Sequence, residues 1–144
     1  MSIHLSIITP EKVLLKEDVD EIIAPTSTGE ITILPNHIPL LSQLFSGELI
    51  IKKGGTEKSV AVAGGFLDVG KNQVTILADY AIRSDDIELS KAEEAKKRAE
   101  KMMSEKTSQE DFAEAEAIFQ RAILELKIGS KKRHIRHNTS TSQS

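Results

Sequence analysis

The sequence predicts an α+β chain in two parts, an N-terminal antiparallel β-sandwich followed by a C-terminal antiparallel αα-hairpin. Two observations carry that prediction. Through the first eighty-odd residues the apolar side chains recur every second position in short runs divided by turn residues, as half-buried strands require. The period changes near Ile82 to Leu89, and beyond it apolar residues recur at steps of three and four, as on one face of a helix. The expected division is a sandwich over 1–86, a helical hairpin over 87–129 and a basic, unstructured tail over 130–144.

In chain order, the strand signals are Ile3, Leu5 and Ile7; Val13 and Leu15; Val19, Ile22 and Ile23; Ile31 and Ile33; Leu49 and Ile51; Val60 and Val62; Phe66, Leu67 and Val69; and Val74 and Ile76. Gly54-Gly55 permits positive φ and so a tight hairpin, and Lys71-Asn72 marks another turn. Gly64-Gly65 inside a strand pattern indicates a bulge or a close backbone contact. In the helical part, Ser90 with Glu93 fits a capping box, and Thr107 with Glu110 fits a second one. Ala92, Ala95, Ala99 and Met102 share one face. Phe112, Ala115, Phe119, Ala122 and Leu126 form the opposing stripe, with Ile118 and Ile123 beside it. Glu93 with Lys97, and Glu94 with Arg98, have the favourable spacing for ion pairs. A short polar link near Glu105 to Ser108 predicts an antiparallel return, and Gly129 is read as the stop. A seam this rich in alanine is thin glue. Each buried methylene-sized group contributes only about 0.8 kcal/mol, so the helices are expected to persist locally while their mutual packing stays marginal.

Residues 29–44 (GEITILPNHIPLLSQL) are the most distinctive run. Pro35 and Pro39 bracket His37, remove two backbone donors and force extended geometry on the residues before them. The run must therefore be a rigid bend, with Leu40, Leu41, Leu44 and Phe45 as apolar anchors after it.

Composition limits the function. The chain holds no cysteine, which excludes disulfides and thiolate metal sites. A net charge of −3 argues against a general nucleic-acid binder. No apolar run is long enough for a membrane span and the N-terminus lacks signal-peptide character; a soluble, cytosolic protein is expected, meeting a membrane only through a partner. Charge is divided: residues 1–87 carry a net −5 and residues 88–144 a net +2. Lys131, Lys132, Arg133 and Arg136 lie in an acid-free stretch, which reads either as a solvated tail or as a docking segment for an acidic surface.

With residues 61–69 (AVAGGFLDV) and 74–79 (VTILAD), the bend resembles the epsilon subunits of bacterial F-type ATP synthases, in the F1 central stalk. The matching positions are Gly29, Glu30, Pro35, His37, Pro39, Leu40, Leu41, Gly64, Gly65 and Asp79, in order and at the family's separations. The resemblance extends over nearly the whole chain. It implies a non-catalytic rotor subunit at the cytoplasmic face of the bacterial plasma membrane, peripheral to it as part of a proton-translocating complex. The implied partners are the gamma subunit, the ring of c subunits and, transiently, the alpha/beta catalytic hexamer. Glu30, His37, Pro39 and Leu41 are the implied contacts on the ring and gamma side. The hairpin is implied to extend toward the hexamer and block ATP hydrolysis, with Lys131, Lys132, Arg133 and Arg136 meeting acidic loops.

Some relatives hold ATP at the start of the helical part, through Ile/Leu-Asp-x-x-Arg-Ala and further arginines. Here the stretch is Ile87-Glu88-Leu89-Ser90-Lys91-Ala92. Lysine lacks the planar fork that grips phosphate, and Glu125 stands where another arginine is expected. The implied site, at Glu88, Lys91, Arg98 and Arg121, is at most a weak regulatory one for ATP. An ATP-sensing module in which nucleotide fastens the hairpin is thus the alternative function.

Other motifs lead nowhere catalytic. Residues 65–72 approach a phosphate-binding loop, but Asn72 replaces the hydroxyl that binds Mg²⁺ and the flanking pattern is strand. His134 and His137 have ligand spacing, yet sit among basic residues that repel cations. The sequon at Asn138 is a chance match in a chain not expected to be exported. His4 reads as an outward strand residue. His37 has no serine, cysteine or second histidine placed for catalysis, and reads as a loop-stabilising hydrogen bond, a partner contact, or both. No catalytic residue and no metal site are expected.

Overall fold

The computed structural model describes residues 2–105 and 107–142, with side chains through Lys131. The chain forms two compact units, Met1–Arg83 and Ser84–Ser144. The first holds ten strands: β1 (Ile3–Ile8), β2 (Val13–Val19), β3 (Glu21–Thr26), β4 (Gly29–Ile33), β5 (Leu40–Gln43), β6 (Gly47–Lys53), β7 (Thr56–Val62), β8 (Gly65–Gly70), β9 (Gln73–Ala78) and β10 (Ala81–Arg83). They pair into two five-stranded sheets, in the orders β2-β1-β9-β8-β5 and β10-β7-β6-β3-β4. Alternate residues point into the core, as the sequence pattern requires: Ile3, Leu5, Ile7, Val19, Ile22, Ile33, Leu49, Ile51, Val60, Val62, Leu67, Val69, Val74 and Ile76 are all buried.

Two details differ from the sequence reading. The sheets are not wholly antiparallel, because β1 runs parallel to β9 with Leu5 opposite Val74 and Ile7 opposite Ile76. Val13 is exposed, and Leu14 packs on the core instead. A register shift between Ile7 and Ile8 is the cause: an extra residue in β2 turns the alternation over.

The turns follow their glycines. Gly54 and Gly55 both take positive φ (56° and 80°) and join Lys53 to Thr56; two successive left-handed residues match the twist of the flanking strands. Gly64 and Gly65 make the close approach that a strand glycine signals. A Cβ on Gly65 would stand 2.0 Å from the Leu77 carbonyl oxygen.

The second unit begins with a 3₁₀ turn at Ser84–Asp86, then α1 (Leu89–Ser104) and α2 (Gln109–Ser142). The boundary falls at Arg83, earlier than the sequence suggests, because β10 still pairs with β7 through Arg83 opposite Val60. Both caps are displaced from the sequence reading. Glu88 is the N-cap of α1 and makes no side-chain cap bond, which leaves Ser90 inside the first turn. For α2 the Asp111 amide donates to Ser108 Oγ at 3.1 Å, and Thr107 Oγ1 instead reaches Asp111 Oδ2 at 3.2 Å. Serine is the cap because it, not Thr107, stands three residues before the free amide. Among the described residues the expected ion pairs Glu93–Lys97 and Glu94–Arg98 are not closed; an ion pair forms instead at the start of α1, Lys91–Glu88 at 3.2 Å.

The hairpin seam is narrower than the sequence stripes suggest. Ala92 and Ala99 on α1, with Ala115 and Ala122 on α2, are buried, as is Ile128 near the end of the described side chains; Met102, Ile118, Phe119 and Leu126 are half-buried, whereas Phe112 is exposed. Each alanine pair is seven residues apart, two helical turns, so the small residues recur along one line of each helix. The four alanine methyls contribute roughly 3 kcal/mol and Ile128 about 1.5–3 kcal/mol more. Gly129 is not a stop. A Cβ there would lie 2.7 Å from Leu89 Cδ2 and 3.0 Å from Ile87 Cγ2, so glycine lets α2 pass close to the start of α1. The helical backbone then continues to Ser142, so the segment expected to be an unstructured tail is helical in backbone through that residue.

Candidate partner-facing surfaces

The bend at 34–39 is a crossover between the two sheets. It leaves β4, at the edge of one sheet, and enters β5, at the edge of the other. Inside it the His37 amide donates to the Leu34 carbonyl at 3.2 Å. His37 Nδ1 lies 2.7 Å from the Ile38 carbonyl oxygen. A carbonyl only accepts, so Nδ1 is the donor of this bond. The loop-stabilising hydrogen bond expected of His37 is thus present.

The geometry that distinguishes this end of the sandwich is apolar exposure. Leu34 is 52%, Ile38 75% and Leu41 72% exposed, although a large aliphatic side chain gains about 1.5–3 kcal/mol when buried. Pro39 is exposed beside them. The bend brings His37 and Pro39 together, with Leu41 one residue into β5. Glu30 stands apart, exposed near the start of β4, about 13 Å of extended strand from Leu34. Sequence reasoning missed Leu34 and Ile38. No local signal marked them, because the exposure of an aliphatic side chain in a bend depends on what surrounds it.

A second apolar surface crosses the outer face of the β2-β1-β9-β8-β5 sheet. Val13 pairs with Ile8, Ile8 with Leu77, and Leu77 with Phe66, which makes a cross-strand row. Val13, Leu77 and Phe66 are exposed. This row was not legible as a surface in the sequence, because its members come from four different strands. At the other end of β1, opposite Gln73, His4 hydrogen-bonds Asp18 and points outward, as expected.

The residues implied for nucleotide are less concentrated. Glu88 and Lys91 are ion-paired and exposed at the start of α1. Arg98 lies about 10 Å further along α1, and Arg121 lies on α2. A phosphate at Lys91 must displace Glu88. Lys131 is exposed on α2; the side chains of Lys132, Arg133 and Arg136, and of His134, His137 and Asn138, lie outside the described residues. The near phosphate loop is strand β8, the two-residue turn Lys71-Asn72 and strand β9, with no helix following. Among the described residues, no group of three or more His, Asp or Glu is placed to hold a metal, and no helix is long and apolar enough to cross a membrane.

Comparison with known proteins agrees with this architecture. Residues 2–84 match the family model for the beta-sandwich domain of the ATP synthase delta/epsilon chain, and residues 85–128 match that for its long alpha-helix domain. An ATP synthase epsilon chain of Herpetosiphon aurantiacus is 44% identical over 134 residues, covering 93% of this chain and 98% of its own. That of Nitratidesulfovibrio vulgaris is 43% identical over 127 residues, covering 88% and 95%. Among solved structures, a chain of the Euglena gracilis mitochondrial ATP synthase (OSCP/F1/c-ring) superposes with a TM-score of 0.63 at 24% identity, over 94% of this chain and 82% of that one. A chain of the Tetrahymena thermophila mitochondrial ATP synthase central stalk and c-ring gives 0.57 at 17% identity, over 90% and 97%. These two likenesses establish the shared fold. Sandwich, hairpin, family models and full-length relatives converge: this chain belongs to the ATP synthase delta/epsilon chain family, whose epsilon chains are non-catalytic subunits of the F-type complex.

Proposed function

We propose that the chain is a rotor subunit of the central stalk, linking the gamma shaft to the ring of c subunits and coupling rotation to ATP synthesis. The observation that carries this reading is the rigid bend at 34–39, which holds Leu34, Ile38 and Leu41 in water at one end of the sandwich. Apolar groups held out in this way are stabilised only when a partner covers them. The bend, with His37, Pro39 and Leu41, faces the polar loops of the ring, and Glu30 flanks that contact along β4. The cross-strand row of Val13, Ile8, Leu77 and Phe66 offers gamma a flat apolar seat. On this reading the subunit works at the cytoplasmic face of the membrane, held there by its partners.

The helical unit regulates. Its alanine seam separates at low cost, so the hairpin opens and reaches the alpha/beta hexamer, where Lys131, Lys132, Arg133 and Arg136 meet acidic loops and hydrolysis stops. ATP bound weakly at Glu88, Lys91, Arg98 and Arg121 would fasten the closed hairpin.

The decisive experiment rebuilds the membrane complex with Ile38→Glu. ATP-driven proton pumping falls while the sandwich melts at the wild-type temperature. Full pumping with a charge at position 38 overturns the ring-facing assignment. Deleting everything after Ser84 tests the second half: the sandwich still assembles and ATPase activity rises, whereas unchanged hydrolysis removes the inhibitory role.

A further inference from the structure

Pro35 and Pro39 stiffen the bend but remove two backbone donors that could tie it to the sheets, so its orientation on the sandwich needs support from outside. That support arrives at Asn36. The Asn36 amide donates to Asn72 Oδ1 at 2.8 Å, across 36 positions of sequence. Asn36 itself is left-handed, with φ 65°, a conformation that few residues other than glycine adopt and that asparagine tolerates best.

Asn72 is in turn fixed in place. It occupies the two-residue turn between β8 and β9, with Gly70 opposite Gln73 and its own φ at 53°. Its carbonyl accepts the His4 amide at 2.9 Å, at the start of β1. One residue thus holds β1 by its backbone and the bend by its side chain. This is the asparagine that spoils the near phosphate loop, and there it had no role.

We infer that Asn72 is a positioning residue, which clasps the Asn36 amide and so sets the direction in which the bend presents Ile38 to its partner. The inference rests on the ring-facing assignment of the bend. Without the clasp, the Asn36 N–H turns to water and its left-handed backbone relaxes toward the commoner basins. Ile38, two residues on, is then presented in several directions instead of one. An exposed hydrogen bond of this kind changes a population ratio by roughly fivefold, and because apparent affinity follows the competent fraction it falls by about two- to fivefold.

The test uses the full chain with two substitutions. Asn72→Gly keeps the left-handed turn and removes the amide. Asn72→Asp keeps an acceptor oxygen in the same place. Three quantities are measured: hydrogen exchange at the Asn36 amide, the melting temperature, and affinity for a detergent-solubilised assembly of gamma with the c ring. With Asn72→Gly, Asn36 protection is lost and affinity drops about two- to fivefold, while the melting temperature falls by no more than the few degrees that one exposed hydrogen bond contributes; Asn72→Asp restores both. Wild-type affinity in Asn72→Gly, or a loss that merely follows a larger fall in melting temperature, overturns the inference. Failure of the underlying assignment looks different. There, Ile38→Glu also binds normally, whereas an impaired Ile38→Glu beside a normal Asn72→Gly sinks only the clasp.

Discussion

Gly65→Ala is the sharpest test of how the sandwich is closed. Gly65 opens β8 opposite Ala78 of β9, and its carbonyl accepts the Leu44 amide at 2.8 Å. A Cβ at this position would lie 2.0 Å from the Leu77 carbonyl oxygen, 2.9 Å from Ala78 Cα and 3.0 Å from the Leu77 carbonyl carbon. All three are backbone atoms of the paired strand, so no side-chain rotation relieves them. The φ of 123° adds a conformation that alanine avoids. Backbone strain costs about 1–3 kcal/mol and overpacking about 1–3 kcal/mol, roughly 2–6 kcal/mol together. A unit the size of Met1–Arg83 has, at ~0.05–0.15 kcal/mol per residue, only about 4–12 kcal/mol to lose. Urea unfolding followed by far-ultraviolet circular dichroism should therefore show a midpoint lower by about 1–3 M. Gly55→Ala is the control, because it shares a positive φ of 80° and has nothing within 4 Å of its added methyl. It should lose only the backbone part. If the two variants unfold within about 0.5 kcal/mol of each other, the close approach of β8 to β9 is not what demands glycine.

Four further outcomes are expected. Ala115→Leu forces a branched side chain into the buried seam and should lower the helical transition by about 1–3 kcal/mol, read by calorimetry, while the sandwich transition stays in place. Phe66→Glu puts a charge in the exposed cross-strand row and should weaken pull-down of gamma without shifting the melting temperature. Glu88→Gln removes the carboxylate paired with Lys91, so any affinity for ATP in an equilibrium titration should rise; a fall would mean that Glu88 itself contacts nucleotide. Lys71→Ala should leave assembly and ATPase activity intact, since Lys71 stands in a strand turn and not in a phosphate loop.

How far the sequence reached depended on the range of each interaction. Strand and helix faces were legible because alternation and the 3.6-residue period are local, and the core positions from Ile3 to Ile76 follow them. Gly54-Gly55 was legible because a two-residue turn needs nothing beyond itself. The caps were one or two residues out for different reasons: Thr107 gave way to Ser108, a neighbour of similar chemistry, whereas α1 starts at Leu89 after Glu88 with no side-chain cap at all. Gly129 was misread for a physical reason: glycine ends a helix and also admits a crossing one, and only the presence of Leu89 and Ile87 distinguishes the two uses. The candidate surface was legible as a bend, at Pro35, His37 and Pro39. Its apolar face was not, because exposure of Leu34 and Ile38 depends on what surrounds them.

The linear chain alone determined two units, their periods, the rigid bend and the absence of thiol chemistry, since each follows from residue type and spacing over a few positions. Tertiary structure decided what spans longer separations. It set β1 parallel to β9, assembled the Val13–Ile8–Leu77–Phe66 row from four strands, and joined Asn36 to Asn72. Those pairings depend on closing long loops, whose cost varies too slowly with length for local pattern to choose among partners; packing of the whole core makes the choice.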